Sequence, residues 1–215
     1  MTCIAAFIYK WQSLIGSIVG GLFAIATALV VASSAVRAAR RTAASLLIVD
    51  MLSIERAAEH LQSLATQDGV DEQRYPLWVA EKLNWRRPQL SSSYDTHAAN
   101  LVGLDEPLSA HLSLLRMVYS SLGDHLERIA SDADDRRVLG SQRQRIPRSQ
   151  EAIEADAKVV AGGLKVAGAH AACAAHLLQR LALSRLPRVL TRIRMLLRPL
   201  PIEAKSKELL RDGGV

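Results

Sequence analysis

The chain has 215 residues, with 27 Lys plus Arg against 21 Asp plus Glu, a formal net charge of +6, 49% hydrophobic positions and only 4% aromatic ones. That aliphatic content excludes a disordered chain, 12 Gly and 7 Pro exclude a collagen, and two cysteines, Cys3 and Cys173, exclude a disulfide-stapled miniprotein. The length suits one domain, or one domain with an anchor.

Residues 1–13 read as a short tail, in which Tyr9 and Trp11 stand where amphipathic rings favour a headgroup layer. From Leu14 to Val36 there is no charge, and the polar side chains are Ser17, Thr27, Ser33 and Ser34. A helix of that length rises roughly 34 Å at about 1.5 Å per residue, enough to cross a hydrocarbon core of about 30 Å. Segment 14–36 therefore predicts a transmembrane helix. A cleaved signal peptide is the rival, with Ala32, Ser33, Ser34 and Ala35 as the small residues of a cleavage site. Against it, the apolar run exceeds the roughly 7–15 residues of a signal core, and the leading segment carries only Lys10. Arg37, Arg40, Arg41 and then Arg56 place the positive excess after the span, so the expected topology is single-pass in the plasma (inner) membrane, N-terminus outside. Gly16, Gly20, Ala24, Ala28 and Ala32 recur every four residues, a strip that lets another helix reach backbone contact. It predicts a homo-oligomer or association with another membrane protein.

Residues 37–201 then read as a cytoplasmic helical bundle. Leu47, Met51, Ile54, Ala58, Leu61 and Ala65 form one apolar stripe, on a helix that continues from the anchor to about Thr66 before Asp68 and Gly69 stop it. A short helix follows within residues 75–90, where Trp78, Trp85, Arg86 and Arg87 are a candidate patch for a partner or a headgroup layer. The plainer reading is a helix that closes the core. Ser91 to Ser93 lead to another short helix around Tyr94 to Val102. A second stripe, Leu108, Leu112, Leu115, Tyr119, Leu122, Leu126 and Ile129, opens at Asp105 as N-cap and ends near Asp132. Residues 131–148 are polar and read as a solvated loop, with phospholipid or nucleic acid as the alternative contact. The third stripe is Ile153, Ala157, Val160, Leu164, Ala167, Ala171, Ala174, Leu178 and Leu181, starting after Pro147 with Ser149 as cap. Its small residues predict close helix packing that offsets the cost of Gly162, Gly163 and Gly168. Each stripe needs a partner, so the fold class is all-α: an anchor continuing into an antiparallel bundle of three long helices with shorter ones packed on it.

Residues 185–198 read as a basic amphipathic helix. Leu186, Val189, Leu190, Ile193, Leu196 and Leu197 fall on one side, with Arg185, Arg188, Arg192, Arg194 and Arg198 on the other, and no acidic residue intervenes. It either closes the bundle or lies on an anionic surface together with Arg37, Arg40 and Arg41. Residues 202–215 read as a C-terminal tail.

No phosphate-binding glycine loop, nucleophile elbow, H-E-x-x-H or paired C-x-x-C occurs, so the expectation is neither an enzyme nor a cofactor protein. His170, Cys173 and His176 are the nearest approach to a metal cluster. They span too much of one helix to close a site without a ligand from elsewhere, such as His60 or His125. The modest charge, sited near the membrane, makes nucleic acid an unlikely partner. The expected role is a membrane-tethered interaction or assembly module, with a membrane-associated sensor and a helical metalloprotein as rivals.

Overall fold

The computed structural model describes residues 2–137, 149–184, 188–197 and 200–211. Among the described residues there are seven helices and no strand: α1 (Thr2–Gln67), α2 (Tyr75–Trp85), α3 (Tyr94–Ala99), α4 (Glu106–Arg137), α5 (Gln150–Leu181), α6 (Arg188–Leu197) and α7 (Pro201–Arg211). The protein is all-α, as its periodicity predicts. It divides into two compact units, Met1–Thr42 and Ala43–Val215.

The first unit is helix alone. Every residue from Leu14 to Val36 is exposed, and none of this apolar window is buried inside the molecule. The hydroxyls of Thr27, Ser33 and Ser34 donate to the carbonyls of Phe23, Val30 and Val31 at 2.8, 2.9 and 2.7 Å. These polar atoms are thus satisfied within their own helix, leaving hydrocarbon as the outer surface. By length and composition the segment is able to cross a membrane.

The second unit is built on the three stripes. Leu47, Met51 and Ile54 of α1 meet Leu108, Leu112 and Leu115 of α4 and Ala167, Ala171, Ala174 and Leu178 of α5 in one buried cluster. A second cluster joins Leu61, Leu122, Leu126, Val160 and Leu164 with Val79, Ala80 and Leu83 of α2. The short helix α2 therefore closes the core, while its Trp78 packs at the edge. Helices α4 and α5 run in opposite directions, since His111 faces His170 and His125 faces Asp156.

Local signals account for the boundaries. Gly69 adopts φ +61°, and Val70 N–H reaches back to Ala65 O at 2.9 Å, the left-handed stop that ends α1. Ser149 is extended, and its hydroxyl accepts the Ala152 N–H at 3.3 Å, capping α5 as expected. Asp105 O takes the Ser109 N–H at 3.1 Å at the head of α4.

Two boundaries differ from the sequence reading. Helix α4 continues to Arg137 rather than ending near Asp132, because 132–137 holds no glycine or proline to stop it. Of the polar stretch 131–148, residues 138–148 lie outside the described residues. Of residues 202–215, read as a tail, 202–211 lie in α7, whose Glu203 and Ser206 are buried, and 212–215 lie outside the described residues.

The close packing expected of α5 is concentrated at one glycine. A Cβ on Gly168 would stand 2.8 Å from the Ala58 Cβ, so α1 and α5 cross there at backbone distance. Gly162 has open space around it, and Gly163 would meet Val118 and Leu122 at ordinary contact distances.

Candidate functional site

The most unusual chemistry in the second unit is buried between α4, α5 and α7. His170 falls between Ala167 and Ala171, and His111 between Leu108 and Leu112, so each stripe carries its histidine into the core. Both are 0% exposed. Their Nδ1 atoms are 2.8 Å apart, and His111 Nε2 lies 2.7 Å from Ser206 Oγ of α7. His170 Nε2 has no hydrogen-bond partner.

An Nδ1 to Nδ1 hydrogen bond needs one donor and one acceptor, so the pair shares a single Nδ1 proton. If His170 donates, its own Nε2 is a bare acceptor and His111 Nε2–H donates to Ser206. If His111 donates, an N–H is buried on His170 with nothing to accept it. An orphaned donor is the rarer and costlier fault, so the first arrangement is favoured. Burial first, and then the charge of His170, push the His111 pKa down to about 4. Burial likewise lowers that of His170. Both rings are therefore neutral near pH 7. Two nitrogens on one tetrahedral zinc would stand roughly 3.3 Å apart at bond lengths of about 2.0–2.1 Å, so the 2.8 Å contact suits a proton better than a metal.

A second clasp holds the same helix. Glu203 of α7 is buried and accepts hydrogen bonds from Arg180, from His176 Nε2 at 3.4 Å and from the Leu200 N–H at 3.0 Å. Farther along α4 and α5, His125 Nδ1 lies 2.7 Å from Asp156 Oδ1. The polar groups of the core thus act as ties between helices.

The candidate metal trio does not converge. His170 turns to His111, His176 turns to Glu203, and Cys173 is a buried thiol whose pKa is raised chiefly by burial. His125 is engaged by Asp156, and His60 is exposed on α1. Among the described residues no group of three His, Cys, Asp or Glu is placed to hold a metal ion.

The aromatic and basic patch also divides. Trp78 is half-buried, with Lys82 Nζ 5.4 Å from its ring centroid, whereas Trp85 is 81% exposed beside the exposed Arg86. Arg87 folds over the Tyr119 ring at 5.8 Å.

Arg37 turns back on α1, its Nε donating to Ser33 O at 3.2 Å. Arg40 is half-buried and Arg41 exposed. Arg192 donates to Leu104 O at 2.9 Å and to Asp105 Oδ1 at 3.3 Å. Arg188 and Arg194 belong to α6, while Arg185 and Arg198 lie outside the described residues. Gly16 and Gly20 have nothing within 4 Å of a Cβ position, and Ala24, Ala28 and Ala32 are exposed, so the small-residue strip is open along the first unit. An open groove of about 840 Å³ runs between α1, α5 and α7, floored by Ala58, Gly168 and Ala172 and edged by Glu55, Lys165 and Lys205.

Sequence spacing could not find the histidine pair. His111 and His170 are fifty-nine positions apart, and only the α4 to α5 register brings them together. The one available signal was a histidine beside each stripe. No family model matches the chain, and no curated protein or solved structure matches it.

Proposed function

We propose that the protein is a single-pass membrane protein whose antiparallel helical bundle is a cytoplasmic docking and assembly module, working by holding partners rather than by catalysis. One observation carries the reading. The run from Leu14 to Val36 is uncharged and wholly exposed, with the hydroxyls of Thr27, Ser33 and Ser34 bonded to its own backbone carbonyls. Each aliphatic side chain there gains roughly 1.5–3 kcal/mol on leaving water, and a bilayer receives all of them at once. The arginines at 37, 40 and 41 support the orientation. The open strip of Gly16, Gly20, Ala24, Ala28 and Ala32 supports self-association or contact with another membrane helix. In the bundle, the imidazoles closest to forming a reactive group have no surface for a substrate and are engaged with each other. This favours a role in holding α7.

Labelling of intact cells with a membrane-impermeant maleimide tests the topology. Cys3 should react from outside, the buried Cys173 should not, and the chain should stay in membranes washed at alkaline pH. A mature chain that begins near residue 36 and washes free would overturn the reading. For the strip, Gly16→Leu with Gly20→Leu should abolish self-association in a membrane two-hybrid assay, and an unchanged signal rejects it. Stoichiometric metal in the purified chain, lost in His170→Ala, would restore the metalloprotein alternative.

A further inference from the structure

The structure points to a second membrane contact, and we propose that α6 lies on an anionic lipid surface through Leu190, Ile193 and Leu197. The inference rests on the membrane-anchored reading and names a partner for a different part of the chain.

One side of α6 faces the protein. Thr191 is buried, Met195 packs half-buried against the first core cluster, and Arg192 is tied to Leu104 and Asp105. A helix that merely closed a bundle would turn its leucines inward. Here the polar Thr191 is inside, while Leu190, Ile193 and Leu197 are 53, 45 and 76% exposed. Their spacing of three and four residues places them on one face, and Leu200, also exposed, follows at the same end. The apolar face is therefore available to an external partner.

Charge identifies that partner. From Ala157 to Ile202 the chain has no acidic residue, and its stretch 185–198 carries Arg185, Arg188, Arg192, Arg194 and Arg198. Two copies of so basic a segment would repel each other, whereas a negatively charged headgroup layer attracts it. An apolar stripe in a basic helix is the pattern of an interfacial helix.

Position agrees with this assignment. The cluster against which Met195 packs includes Ala43, Ala44 and Leu47, where the second unit's part of α1 begins. Ala43 follows Val36, the last residue of the uncharged run, by only seven positions. A chain anchored by 14–36 therefore holds the second unit on a short tether from the lipid surface.

The test uses the full chain, reconstituted into bilayers of phosphatidylcholine with or without phosphatidylglycerol. In a Cys3→Ser background, an environment-sensitive fluorophore is attached at Leu200→Cys, or at Met117→Cys on α4 as an exposed control; the buried Cys173 takes no label. Emission at 200 should brighten and shift to the blue only with phosphatidylglycerol, and at 117 it should not change. Arg188→Gln with Arg194→Gln should lower the ratio of docked to undocked α6 by roughly tenfold or more. Ile193→Asp with Leu197→Asp, at exposed positions that leave the core intact, should remove the shift. A chain embedded in both bilayers without any lipid-dependent shift overturns the inference and leaves the anchor standing. A shift equal in both lipids that grows with protein density assigns the face to a second copy and also overturns it. A chain recovered outside the bilayer overturns both readings.

Discussion

Residues 14–36 and 43–65 lie on one unbroken helix, yet they present hydrocarbon in opposite ways. In the first stretch Ile15, Ile18, Leu22, Phe23, Ile25 and Leu29 are all at least half exposed, and the opposite side of the helix carries the exposed Gly16, Gly20, Ala24 and Ala28. In the second, Ala43, Ala44, Leu47, Met51, Ile54, Leu61 and Ala65 are buried on one stripe, while Ser45, Ser53, Arg56 and Glu59 remain outside. Helix propensity does not distinguish the two. What differs is how many faces are apolar: a single stripe is satisfied by other helices, and an all-round surface needs an apolar solvent.

The comparison breaks most sharply through paired truncations. Leu47→Ala should cost roughly 2–5 kcal/mol of bundle stability by leaving a cavity, whereas Leu22→Ala should leave bundle unfolding unchanged. Denaturant titration of the full chain in detergent reads both, and equal effects would erase the distinction. Leu22→Arg, in contrast, should lower the alkali-resistant membrane fraction without changing bundle unfolding, since a central arginine costs roughly 2.5–3.5 kcal/mol on insertion.

Acid should act on the bundle alone. His111 in the folded state binds its proton only near pH 4, against 6.5 for an ordinary histidine, so between these limits the unfolded chain holds more protons. Stability is therefore full above pH 6.5 and falls as pH drops through 4, by roughly 3 kcal/mol for that shift. Unfolding free energies at pH 7.5 and 4.5 measure the fall, and His111→Asn should flatten it. A profile identical in the variant would show that the pair does not titrate in this way.

Smaller effects sharpen the picture within α5. Gly168→Ala drives a Cβ into Ala58 and should destabilise by about 1–3 kcal/mol, while Gly162→Ala meets open space and should stabilise by up to about 1 kcal/mol. Thermal melts of the two single variants decide it, and shifts of the same sign would contradict the crossing geometry. Smallest of all, Trp85→Ala should change stability by no more than about 0.5 kcal/mol because its ring is exposed, and a larger loss would place Trp85 in a packed contact.

Much of the fold was legible because helical burial is periodic. The stripe from Leu108 to Leu126 is buried, and in the third stripe every position from Ala157 to Leu181 is buried. Ser149 caps α5, and Gly69 ends α1. Those signals act over one or two turns. The segment after Pro199 was misread because IEAKSKELL is polar by composition; α7 is held by Glu203 on Arg180 and by Ser206 on His111, partners far away in the chain. The metal trio was grouped because its members share a helix, yet His170 turns to His111 and His176 to Glu203.

The order of residues alone determined that the chain is helical, where its apolar stripes run and which stretch is long enough to cross a bilayer, since these depend on interactions within a few turns. Only the tertiary structure decided that two histidines meet, that Gly168 is the close crossing and that α6 turns Leu190, Ile193 and Leu197 outward. These depend on which helix lies opposite which and in what register, and that is set by the packing of the whole core.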